Sequence, residues 1–204
     1  MILYTLDELL EKTSALHNHL CPRQVLGVRM GMLAAELLEL ELPQTNKRLY
    51  TFLETDGCFA DGIAVATGCW LGHRTLRLID FGKVAATFVD IQSRRAFRIS
   101  VHPEARQFAR EAETDARSRW HGQLAAYQYL PSNKLLVWQP VKLNLSMEAI
   151  VSRAGVRVNC SHCGEEILNE REQVINGEPV CRACLGEAYY QVDEEVNTSP
   201  LAVS

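Results

Sequence analysis

Apolar residues recur at helical spacing near the start of the chain, at Leu6, Leu9, Leu10 and Leu16. Thr5 with Glu8 forms a capping-box pattern ahead of them, so a helix is predicted to about Leu16. The stretch HNHLCP at 17–22 breaks it. Pro22 suits the first position of a second helix carrying Val25, Leu26, Met30, Leu33, Ala34, Leu37 and Leu38. Gly27 and Gly31 lie four residues apart on one face, a pattern that suits close packing on a neighbour. A buried strand is predicted over 49–54 and a short apolar helix over 59–67. Strands follow over 76–80, 84–91 and 96–101, with the polar run at 92–95 as a hairpin turn. Pro103 and Glu104 open a helix, and a second, Ala-rich helical stretch runs to about Leu130. Strand character returns over 135–145, interrupted by Pro140. Regular signals then fade until Cys160. Helices and strands do not alternate strictly, and hairpin-like runs sit between helical pairs. The expected class is α+β, with a mixed or antiparallel sheet.

Composition narrows the function classes. With 47% hydrophobic residues among 204, the chain has enough apolar surface to bury a core, which excludes disorder as its dominant state. A net charge of −4 argues against coating nucleic acid. No run of 18 apolar residues exists to cross a membrane, and the first residues lack the basic start and cleavage site of a signal peptide. A cytoplasmic location is therefore expected.

Seven cysteines, at 21, 58, 69, 160, 163, 181 and 184, then change the picture. Without an export signal, metal or thiolate chemistry is the better reading than disulfides. The last four form C-x2-C, seventeen residues, C-x2-C, a zinc-ligand spacing. Each C-x2-C turn places two thiolates on one side, and two such turns complete a tetrahedron. Gly164 allows the tight turn, and Cys181 and Cys184 head an expected helix, RACLGEAYY. Knuckle, hairpin and ligand-bearing helix together predict a treble-clef finger with a structural zinc on Cys160, Cys163, Cys181 and Cys184. His162 reads as a surface residue. Acidic residues offset the finger's Arg157, Arg171 and Arg182, which makes it a poor nucleic-acid binder. The expected domains are an α+β domain at 1–155, the finger at 156–190 and a flexible tail at 191–204.

In the first third, His17, His19 and Cys21 alternate and would point to one side in extended chain. Cys21 also stands where the second helix begins, a place that stabilises a thiolate. Cys58 and Cys69 flank the short apolar helix. These residues suffice for a second metal site of imidazole and thiolate ligands, or for a reactive thiol. The plainer reading is that cysteines are buried small hydrophobes.

The segments HNHLCPRQVLGVRMGMLA and ETDGCFADGIAVATGCWLGHRTLRLIDFGKVA resemble the FmdE-like family, named for a component of formylmethanofuran dehydrogenase. His17, His19 and Cys21 match its HGHxC segment, Glu54, Cys58 and Asp61 its ExxxCxxD segment, Cys69 its TGC, and Asp80, Gly82 and Lys83 its DYGK. CSHCGE…GEPVCRAC matches the finger that many members append. Asn18, Arg23, His73 and Arg74 depart from the family pattern. The resemblance implies a metal- or thiol-bearing pocket where these segments converge. In it, His19 and Cys58 would be ligands of a second divalent metal, zinc or nickel, joined by His17 or Cys21. Cys69 would be a further ligand or a resolving thiol for Cys58. Asp61 would accept from a histidine ring or act as a general base, with Cys58 and Asp61 the catalytic candidates. Lys83 would bind an anion such as a cofactor phosphate, or form a turn salt bridge with Asp80. Arg29 reads as a buried ion-pair partner. The resemblance further implies a homodimer and an accessory role beside a molybdenum or tungsten oxidoreductase, handling its metal or cofactor. The alternatives are a small metal- or thiol-dependent enzyme and a zinc-finger interaction module.

Overall fold

The computed structural model describes residues 2–151 and 155–192, so most of the expected tail lies outside the described residues. The chain divides into two compact units, residues 1–144 and 145–204.

In the first unit, helix α1 (Leu6–His17) carries the full capping box: the Glu8 N–H donates to Thr5 Oγ1 at 3.3 Å and the Thr5 N–H to Glu8 Oε2 at 2.7 Å. Its C-cap, Asn18, stands at φ 57°, a left-handed conformation that Asn tolerates, so the departure from the family's glycine costs little here. Helix α2 (Pro22–Leu38) buries twelve of its seventeen residues and forms the centre of the unit. It packs on helix α3 (Cys58–Thr67) at backbone contact. A Cβ added at Gly27 would stand 2.4 Å from Phe59 O, and one at Gly62 2.4 Å from Gln24 O. Gly31 meets Ala66 further along, so the two helices run in the same direction with their N-termini side by side.

The sheet comprises β1 (Leu49–Leu53), β2 (Leu76–Leu78), β3 (Ala85–Asp90), β4 (Ala96–Val101) and β5 (Leu136–Pro140), in the order β2-β1-β3-β4-β5. The β1–β2 pair is parallel and the others are antiparallel, as an α+β chain with a mixed sheet requires. Residues Leu53, Ala86, Phe88, Ile99 and Leu136 join the α2 side chains in one core. The predicted strand over 135–145 is shorter. Helix α6 (Ser132–Leu135) takes its start, and Pro140, which has no N–H for the ladder, closes the edge strand. Helices α4 (Ala105–Ala112) and α5 (Arg119–Tyr129) fill the expected Ala-rich segment.

Arg29 feels the Glu36 carboxylate on its own helix, but its hydrogen bonds go mostly to backbone. Its guanidinium donates to the carbonyls of Tyr127 (2.9 Å), Gln128 (3.2 Å) and Leu130 (2.8 Å), capping the end of α5. Buried carboxylates pair elsewhere. Asp90 takes two bonds from Arg48 (2.8 and 2.7 Å), and Glu54 takes two from Arg98 (2.6 and 2.7 Å).

The second unit begins with α7 (Met147–Val151), where the sequence shows no regular signal. Two hairpins follow: β6 (Arg157–Asn159) with β7 (Glu166–Leu168), and β8 (Gln173–Ile175) with β9 (Glu178–Val180). The expected nine-residue helix is a five-residue turn, Ala183–Glu187, interrupted where Gly186 adopts φ 90°. The buried core here is Cys160, Ile167 and Val180.

Candidate metal centres

Cys160 and Cys163 stand on the turn after β6, and Cys181 and Cys184 on the turn after β9. Gly164 at φ 77° lets the first turn close, and its N–H donates to Cys160 O at 2.9 Å. The Ser161 N–H reaches Pro179 O at 2.8 Å, tying the first turn to the second hairpin. All four sulfurs lie within 4.8 Å of one another, and those of Cys163 and Cys181 are 3.9 Å apart. Four Zn–S bonds of about 2.3 Å in a tetrahedron require sulfurs about 3.8 Å apart, so the donor set and its spacing fit zinc. Backbone N–H groups already aim at sulfur, Cys181 N at Cys160 (3.3 Å) and Cys184 N at Cys181 (3.4 Å). Donors of this kind, from Cys163 and Cys181, lower the Cys160 thiol to about 6. Cys184, ringed by Cys181 and Cys163, is pushed up to about 12. Bound together, four thiolates at this spacing offer a divalent cation a complete set of ligands. Such a site is structural, with every position filled by sulfur.

The residues of the first third meet at the N-terminal ends of α2 and α3. Cys21 is the N-cap of α2 and Cys58 the first residue of α3. The glycine contact sets these two ends side by side, near enough for the Cys21 side chain to act on the Cys58 thiol. Burial first, then Cys21 and Asp61, push the Cys58 thiol up. At the end of α1, the His17 Nε2–H donates to Asp61 in the first turn of α3. The His19 Nδ1–H donates to the His17 carbonyl at 2.9 Å. Each imidazole thus has one nitrogen committed as a donor; in a neutral ring the other, Nδ1 of His17 and Nε2 of His19, is the one that could ligate a metal. The two rings stand edge to face, 5.6 Å apart.

Among the described residues, the four finger cysteines are the one group of three or more Cys, His, Asp or Glu with all ligand atoms within 4.8 Å of one another. The rim of His17, His19, Cys21, Cys58 and Asp61 is looser. Cys69 is not part of it. Helix α3, about 15 Å long, separates it from Cys58. Its thiol is buried, donates to Leu49 O at 3.4 Å and is surrounded by Thr51, Thr67 and Thr75. Lys83 lies over the Phe81 ring, 5.9 Å from its centre, while Asp80 accepts from the Gly82 N–H at 2.9 Å. Glu54 anchors this loop, its carbonyl accepting from Phe81 N (2.9 Å) and Lys83 N (3.0 Å).

Two residues of this region escape a reading by chemistry-bearing type. Gln24, fully buried, accepts from the Cys21 N–H at 2.7 Å and donates to Thr13 O at 2.9 Å, stapling α1 to the start of α2. Its signal was a Gln at the third helical position behind a cap residue. Gly62 is the counterpart of Gly27 in the seam, and its spacing of four from Cys58 was the available clue.

Comparison with known proteins bears on the finger and on the fold of the first unit. The model of the prokaryotic dksA/traR C4-type zinc finger matches residues 153–190. A probable S-adenosyl-L-methionine-binding protein of Archaeoglobus fulgidus is 29% identical over 210 residues, which cover 92% of this chain and 55% of that protein. The chain thus spans about half the length of this curated relative. The crystal structure of a tungsten formylmethanofuran dehydrogenase FmdE-like protein from Syntrophus aciditrophicus superposes with a TM-score of 0.60. It covers 93% of this chain and 96% of that one at 22% identity, a likeness of fold. The family model described as FmdE, molybdenum formylmethanofuran dehydrogenase operon, matches residues 16–137, more than half of the chain, and the protein belongs to that family.

Proposed function

We propose that this chain is a metal-binding accessory protein with two unlike metal sites. The finger's zinc is structural and stays. The rim holds an exchangeable divalent cation, zinc or nickel, on Cys21 and Cys58 Sγ and His19 Nε2. His17 stands beside it, oriented by Asp61. The observation that carries this reading is the convergence of two helix-terminal thiols with two imidazoles whose free nitrogens are set by their other hydrogen bonds. A carboxylate on the far ring nitrogen is a usual partner of a metal-bound histidine. Three protein ligands leave a fourth position open, which suits delivery or sensing of a metal. The family name and the Syntrophus neighbour support a partner among molybdenum or tungsten oxidoreductases, whose metal or cofactor this chain would handle. In the same reading the finger is a treble clef with a shortened helix, the boundary between the two units falls within 144–155, and the chain works as a homodimer. Lys83, on the loop anchored by Glu54, supplies a cation for an anionic cofactor.

The test is elemental analysis of protein purified without oxygen, before and after Cys58→Ala. Two metals per chain falling to one, with the remaining one zinc, is the expected result. One metal both before and after removes the rim site. The His17–Asp61 pair supports a second reading, a small enzyme, because an imidazole held by a carboxylate is an acid–base group. Turnover lost in Asp61→Asn with both metals retained would favour it.

A further inference from the structure

Cys21 and Cys58 share more than a neighbourhood. On α2, positions 21, 24, 28 and 31 fall on one stripe, and on α3 positions 58, 62 and 66 do the same. The two stripes face each other. A Cβ at Gly62 would stand 2.4 Å from Gln24 O and 3.0 Å from Val28 N, and one at Gly31 2.5 Å from Ala66 Cβ. The seam is thus at backbone contact over two successive rungs, and the two cysteines are the next rung towards the N-termini. Disulfides need Cα atoms about 4.4–6.8 Å apart, an approach few helix pairs allow and a glycine-closed seam favours. The Cys21 side chain is also near enough to act on the Cys58 thiol. Both are free; Cys58 is half-buried and Cys21 buried.

We propose that Cys21 and Cys58 form a reversible disulfide, a modification site whose oxidant is a low-molecular-weight disulfide. The more accessible Cys58 sulfur attacks the reagent, forming a mixed disulfide and releasing one reagent thiol. The Cys21 sulfur then attacks Cys58 Sγ and releases the second. Two electrons pass from the cysteine pair to the reagent, and the two protons leave on its two thiols. Cys21, not Cys69, is the resolving partner, since Cys69 lies beyond the far end of α3. Where the rim also holds a metal, a consequence that rests on the function proposed above, disulfide and metal exclude each other, because the bonded sulfurs have no thiolate to offer.

The experiment uses the full chain with its finger zinc in place. Protein treated with a mild chelator is equilibrated with oxidised glutathione, blocked with N-ethylmaleimide, digested without reduction and weighed. The expected product joins the Cys21 and Cys58 peptides and is lighter by two hydrogens. Cys21→Ser should instead trap glutathione on Cys58, and added zinc should slow cross-linking of the wild type at least about tenfold. Wild-type protein that stops at glutathione on Cys58, or that keeps both thiols open to N-ethylmaleimide, overturns the proposal. Cross-linking without zinc protection, in protein that holds a single metal, leaves the disulfide standing and removes the rim metal. Two metals without any cross-link do the reverse.

Discussion

The finger and the rim both draw on cysteine thiols but are assembled by opposite means. The finger's ligands come from two four-residue turns closed by local hydrogen bonds, and among the described residues the buried cluster beneath them adds only Ile167 and Val180 to Cys160 itself. The rim's groups come from the end of α1 and the starts of α2 and α3, held by a core that spans helices and sheet. In the finger the metal makes the structure. In the rim the structure makes the site, and the metal proposed for it would be an addition to something already folded. The sharpest way to break this contrast is to remove one sulfur from each. Cys181→Ala should release the finger's zinc and unfold residues 155–192, since ligation in such modules supplies about 10–16 kcal/mol of folding energy. Cys58→Ala should leave the unfolding midpoint of residues 2–144 within about 1 kcal/mol of wild type. Hydrogen exchange resolved by segment checks both. Equal damage from the two substitutions would end the distinction.

This contrast also explains what could be read in advance. C-x2-C twice at a finger spacing is a local instruction, so all four ligands were legible from the sequence. So were α1, α2, α3 and the five strands, because period and capping are local too. The rim depended on which ends meet. Cys58 and Cys69 look equivalent along the chain, each beside a glycine at one end of a short apolar helix. The seam brings one to Cys21 and leaves the other in the core among Thr51, Thr67 and Thr75. Arg29 was expected to be buried and is half-buried, and its carbonyl partners at the end of α5 lie about 100 positions away and leave no mark in the sequence. The shortened finger helix follows from Gly186, whose positive φ a residue-type pattern does not reveal.

Acid should separate the two regions next. Arg48, then Ser93 and the Gln92 N–H, hold the Asp90 carboxyl well below the usual carboxylate range. A depressed folded pKa contributes stability that is present above the unfolded value, near about 4, and is lost as pH falls through the folded one. The first unit should therefore keep this contribution down to about pH 4. In the finger, protons compete with the metal for sulfur at higher pH, so zinc should leave first. Asp90→Asn should remove the acid-side slope of the first unit and cost about 3 kcal/mol by leaving Arg48 with a neutral partner. Denaturant melts between pH 7 and pH 3, with zinc release followed in parallel, check the order. Simultaneous loss would mean that the two regions share one source of stability.

Gly62→Ala probes the seam itself. The new Cβ meets backbone on α2, which has no far end to swing away, so the helices must part. A cost of about 2 kcal/mol is expected from overpacking. Parting the helices also draws Cys21 from Cys58, so rim metal should fall while finger zinc holds at one per chain. If rim metal stays while stability drops, the seam supports the fold but does not set the site.

The smallest effect tests how far the rim depends on remote order. Thr5→Ala removes the hydroxyl of the capping box at the opposite end of α1 from His17. Loss of such a cap costs about 1 kcal/mol in the helix that carries it. The far end of α1, however, is tied down independently. Gln24 holds Thr13 O at 2.9 Å, and Asp61 holds the His17 ring. Fraying at Thr5 should therefore stop short of Thr13. Exchange protection should fall in the first turn of α1, and rim metal affinity should change less than about twofold. A larger change would show that α1 reaches the rim as one rigid lever, and Gln24→Ala, which cuts the staple, should then have an effect no greater than Thr5→Ala.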